Sequence, residues 1–122
     1  MYVAPNSVGG GLAQFYPQLV FLAAPTACTM RSLAVNAVTT TEQYGSVVAD
    51  SNSFLVLKNE QPTSMTCSIS NNTSVGATYS CSDSTHTFAV AQGDRIAIEF
   101  TDGFTDGSEY NIIIFGTTLV CN

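Results

Sequence analysis

The sequence predicts an all-β protein, a two-sheet antiparallel jelly-roll sandwich with an extended N-terminal arm. Two observations predict it. Short runs alternating apolar and polar residues recur along the chain, separated by Gly, Pro, Asn and Asp, and no segment reads as a helix. Roughly eight to ten such runs suit the two facing sheets of a jelly roll. A third observation adds staples: Cys28, Cys67, Cys81 and Cys121 are an even set in 122 residues, a length that can bury a core without them.

Residues 1–26 are assigned to an N-terminal arm or edge strand and residues 27–122 to the jelly-roll domain. Met1 to Gly11 is small and polar and ends in three glycines, the composition of a linker. Phe15, Tyr16, Leu19, Val20 and Phe21 follow around Pro17, which suits an edge or irregular strand. They are too apolar for a solvated tail and form the candidate assembly arm. In Arg31 to Val38, alternation puts Leu33, Val35 and Ala37 on one face. Ser53 to Lys58 is a strand run ended by Asn59-Glu60-Gln61-Pro62. Met65, Cys67 and Ile69 alternate with Thr66 and Ser68, and Asn71 to Ser74 with Gly76 has turn chemistry. Tyr79 and Cys81 precede a break at Ser82-Asp83-Ser84, and Thr87 to Val90 is a further strand. After the tight turn Gln92-Gly93-Asp94, Ile96, Ile98 and Phe100 face inward while Arg95, Ala97 and Glu99 face out. A polar loop from Thr101 to Glu109 leads to Tyr110–Phe115, whose isoleucines point to both faces, as in a strand covered on both sides. Thr117 to Cys121 closes the chain.

The cysteines have no C-x-x-C spacing to gather around a metal. They permit three pairings, which the sequence does not decide among. The nested one, Cys67–Cys81 with Cys28–Cys121, suits the fold: the first pair can face across a hairpin, and a jelly roll sets its first and last core strands side by side. Disulfides place the chain in an oxidising setting, extracellular, on a cell surface or on a virion.

Charged residues make up only 10%, against about 25% in ordinary domains. The net charge is −6 with only Arg31, Lys58 and Arg95 positive, so the basic cluster needed for nucleic acid is missing and anionic membranes are disfavoured. The longest apolar run, Leu19 to Pro25, is too short to insert across a membrane. No Lys or Arg precedes it to make the positive region of an export signal. An export signal is expected to be already removed, or the chain to reach its place by lysis or within an assembling particle. The partners left are other copies of the chain, glycans and cations.

Phe54-Leu55-Val56-Leu57-Lys58-Asn59, then Pro62-Thr63-Ser64-Met65-Thr66-Cys67-Ser68-Ile69, and finally Cys81-Ser82-Asp83 through His86 to Ala91-Gln92-Gly93-Asp94-Arg95-Ile96, resemble consecutive segments of a known group. These are the C-terminal domains of bacterial collagen-like surface proteins, exosporium glycoproteins among them, with related segments in phage fibre and decoration proteins. The resemblance covers about residues 28–121 and implies a tumour-necrosis-factor-like jelly roll that commonly forms trimers. Glu60 stands where that family often has Gly, and the chain end differs, so a filament is kept beside the trimer.

For chemistry, His86 is the only conventional general base and reads as a surface or turn histidine. No G-x-S-x-G elbow is present, and the chain is taken as not an enzyme. Asp102, Asp106 and Glu109 sit in a glycine-rich loop and are the candidate calcium ligands. Their spacing is not that of an EF-hand, and a solvated acidic loop is the plainer reading, so no cofactor is expected. Asn71-Asn72-Thr73-Ser74 holds two overlapping N-x-[ST] sequons that also read as a turn. The expected function is a self-assembling structural subunit, trimer or filament. The alternative is a carbohydrate- or receptor-binding head of a surface or phage fibre protein.

Overall fold

The computed structural model describes residues 2–3, 21–39, 50–71, 76–102 and 113–122, and these form β-strands in two antiparallel sheets with no helix. The strands are β1 (Tyr2–Val3), β2 (Leu22–Ala23), β3 (Cys28–Thr39), β4 (Asp50–Lys58), β5 (Gln61–Asn71), β6 (Thr78–Asp83), β7 (Phe88–Val90), β8 (Arg95–Asp102) and β9 (Ile113–Cys121). In the first sheet β5, β4 and β8 lie in that order, and β1 and β2 both pair with β8. In the second sheet β3 is central: β9 pairs along it, as do β6 and β7 at successive stretches.

Alternation builds the core. Leu33, Val35 and Ala37 of β3 meet Phe54 and Val56 of β4, Met65, Cys67 and Ile69 of β5, and Ile96 and Ile98 of β8, all buried. Phe100, half-buried at the end of this row, sets its ring 5.3 Å from that of Phe54. Two irregularities keep the pattern in phase. The β3–β9 register shifts between Met30 and Ser32, which lets both Met30 and Leu33 be buried although three residues apart. The β4–β5 register shifts between Leu55 and Leu57. There the Thr63 hydroxyl donates to the Val56 carbonyl (2.7 Å) and accepts from the Met65 N–H (3.2 Å), standing in for backbone partners.

Several expectations are corrected. Cys67 and Cys81 do not face each other across a hairpin: β5 belongs to the first sheet and β6 to the second, so their disulfide joins the two sheets. The reason is that β5 already ladders with β4 and β6 with β3. Gly116 does not separate two strands; it continues β9, because residues on both sides of it pair with β3. Ala97, expected to face solvent, is buried together with its cross-strand neighbour Leu57. Tyr2 and Val3, expected in a linker, ladder onto Glu99 and Ile98.

The Cys28–Cys121 disulfide ties the start of β3 to the end of β9. Thr29 and Asn122 exchange backbone hydrogen bonds of 2.9 and 3.1 Å beside it, and Arg31 Nε donates to Asn122 Oδ1 at 2.6 Å. Asn122 is thereby sewn to the central strand.

Candidate interaction site

Two aspartates from the segments singled out in the sequence act as clamps. Asp83 ends β6 and is buried. Its Oδ2 accepts the Thr66 N–H from β5 (3.0 Å) and lies 2.8 Å from His86 Nδ1; its Oδ1 accepts the Thr85 and His86 N–H groups at 3.0 and 3.1 Å. Burial alone would raise its carboxyl, but the His86 and Thr66 backbone N–H groups, the His86 ring and the Thr85 N–H outweigh it and hold the group well below the usual carboxylate range. A carboxylate orienting a catalytic histidine would make the same Nδ1 contact. Here three backbone N–H groups share that carboxylate, which thus caps the β6–β7 loop and links the sheets beside the Cys67–Cys81 bridge.

The second clamp closes one end of the sandwich. Asp94 follows Gly93, whose φ of 85° the turn requires, and its Oδ2 accepts the Ala91 N–H at 2.7 Å. Its Oδ1 accepts from Asn59 Nδ2 (2.8 Å), and Lys58 Nζ stands 3.3 Å from Oδ2 while donating to the Ala89 carbonyl. The Asn59 amide and the Ala91 N–H, with a smaller contribution from Lys58, hold the Asp94 carboxyl below its ordinary value. Asn59 also binds the backbone of Arg95 in both directions, at 2.8 and 2.9 Å. Arg95 reaches Glu60 Oε1 at 2.9 Å, and its guanidinium carbon lies 5.7 Å from the centroid of the Phe21 ring. All three basic residues of the chain are therefore engaged within it.

Among the described residues the exposed large apolar side chains are Phe21, Leu22 and Val120, at 40%, 49% and 42%. They belong to β2, the residue before it, and β9. Leu22 also lines a cavity of about 80 Å³ with Ala24, Met30, Ile96, Leu119 and Cys121. Strands β2 and β9 thus border one apolar gap between the sheets, lined by Leu22 and Leu119, while Val120, in the alternate phase, and Phe21, beside Arg95, do not line it. A wider groove of about 320 Å³ runs along Asn36, Val38, Thr78, Tyr79 and Ser80 on β3 and β6.

Of the residues named from sequence, all four cysteines are paired, Cys28 with Cys121 and Cys67 with Cys81. Phe21 lies exposed beside the Arg95 guanidinium; Phe15, Tyr16, Leu19 and Val20 fall outside the described residues. Asp102 ends β8, and Asp106 and Glu109 fall outside the described residues. Among the described residues no three His, Cys, Asp or Glu side chains are grouped to hold a metal, and no helix is long and apolar enough to cross a membrane. Sequence reasoning missed Leu22 and Val120. The outward phase of Val120, between Leu119 and Cys121, was the available signal.

Comparison of the chain with protein-family models, with curated proteins and with solved structures finds no match in any of the three.

Proposed function

We propose that this chain is a non-enzymatic structural subunit of an extracellular or virion assembly, self-associating as a trimer or filament through a disulfide-stapled jelly roll. The observation that carries this reading is the apolar exposure at β2 and β9. Phe21, Leu22 and Val120 are exposed there, in a chain whose charged share is only 10%. Exposed apolar side chains on the outermost described strands of two sheets favour a partner surface over water. The jelly-roll topology is supported by the nested pairs β3–β9 and β4–β8, first with last and second with second-last; β5 departs from it by staying in a hairpin with β4. Two disulfides fit an oxidising location. The resemblance of the Phe54–Ile69 and Cys81–Ile96 segments to surface-protein and phage-fibre domains points the same way.

Light scattering across a concentration range, with electron microscopy of the scattering fraction, tests it. A discrete trimer or a filament is expected. Phe21→Glu with Val120→Glu should abolish it while circular dichroism stays unchanged, since both side chains are exposed and neither lines the gap between the sheets. A wild-type protein that stays monomeric at every concentration sinks the reading.

A further inference from the structure

β1 and β2 occupy one ladder. Val3 stands opposite Ile98 and Leu22 opposite Ile96, both antiparallel to β8 on the same sheet. The other ladder of β8 is taken by β4 along residues 96–102, so β1 and β2 share the remaining edge. A single β8 residue, Ala97, separates the two contacts, while residues 4–21 separate them along the chain. By register they are collinear halves of one strand position along the β8 edge.

We propose that the β8 edge at Ile98–Glu99 is a strand-exchange site, and that in the assembled state the Tyr2–Val3 strand on it comes from a second copy of this chain. This rests on the self-assembly reading and names its contact. Exchange replaces each ladder bond by an identical one, so it loses no contact, which is the reason segment swapping is a low-cost route to oligomers. Pairing within one chain requires residues 4–21 to close on themselves, and pairing between chains does not. That length of chain spans about 60 Å when extended, while a domain of this size has a radius of gyration of about 14 Å, so a neighbour's β8 is within reach. The outcome is a head-to-tail contact: each copy offers one N-terminal strand and one β8 edge. Such a contact closes into a ring or runs on as a filament, and it lies beside exposed Phe21 and Leu22.

The test uses Tyr2→Cys and Glu99→Cys, opposite each other in the ladder, carried by separate full-length chains, one isotopically labelled. The two are mixed as monomers, assembled and briefly oxidised, and cross-links are mapped by mass spectrometry without reduction. Tyr2→Cys with Ser68→Cys, on β5 at the opposite edge of the sheet, is the control. Links between labelled and unlabelled chains should exceed the control by about tenfold or more, because a docked strand holds its partner at an effective concentration in the millimolar range. Deleting Met1–Val3 should leave a folded monomer that no longer assembles. A double variant that links only within its own chain, in assemblies that still form, overturns the exchange and leaves self-assembly standing. A protein that never assembles overturns both.

Discussion

Replacing Asp83 with Asn keeps the size of the side chain and removes its charge. The wild-type carboxylate accepts from Thr66, Thr85 and His86 N–H groups at 3.0 to 3.1 Å and meets His86 Nδ1 at 2.8 Å. In the variant one acceptor oxygen becomes an NH₂ that faces a donor. Hydrogen bonds to a charged group contribute about 1.5–3 kcal/mol each. The contributions do not add, and water can reach the loop N–H groups, so about 2–4 kcal/mol of destabilisation is expected in total. That corresponds to a fall in melting temperature of roughly 8–15 °C for a chain of this size. The pH dependence supplies a second readout. Because the folded carboxyl is held below its ordinary value, its contribution is complete above the unfolded pKa of about 4 and is lost as pH falls below it. Wild type should therefore lose stability on acidification below about pH 4–5 more steeply than Asp83→Asn. Thermal melts from pH 7 to pH 2 with both disulfides intact measure both effects. Equal melting temperatures at pH 7, or parallel acid slopes, would refute the clamp.

Glu60→Gly should be neutral to stabilising by up to about 1 kcal/mol. Asn59 and Glu60 form a two-residue hairpin turn with φ of 50° and 68°, where Asn-Gly is the favoured pair, and the half-exposed Arg95 ion pair it sacrifices is worth less than about 1 kcal/mol; a urea midpoint that falls clearly would refute this. Ile98→Asp should unfold the domain, since the side chain is fully buried and an unpaired carboxylate there costs several kcal/mol; an unchanged melt would mean that the inward phase of β8 is wrong. Cys67→Ser with Cys81→Ser should cost about 3 kcal/mol and Cys28→Ser with Cys121→Ser about 4–5 kcal/mol, following the closed loop lengths. Denaturant titration of the two double variants checks the order, and the reverse order would show that the inter-sheet bridge matters more than chain closure.

Strand positions were legible in the sequence because alternation is local. Leu33, Val35 and Ala37, or Ile96 and Ile98, are two residues apart whatever lies beside them, and their burial follows once one face is covered. Turn chemistry was legible for the same reason: Gly93 supplies the positive φ of the turn before Asp94. The choice of partner was not. Cys67 and Cys81 lie in successive strands, yet the sheet each strand joins is decided by competition among edges far apart in sequence. The sequence therefore marked the cysteines as suited to pair but misplaced their bridge as one across a hairpin. Asp83 and Asp94 looked like turn residues, and only packing brought Thr66 and Asn59 to their oxygens. The burial of Leu57 and Ala97, out of phase with their neighbours, and the collinear halves β1 and β2, leave no trace in composition or period. Alternation determines which residues share a face, whereas long-range pairing free energy determines what that face meets.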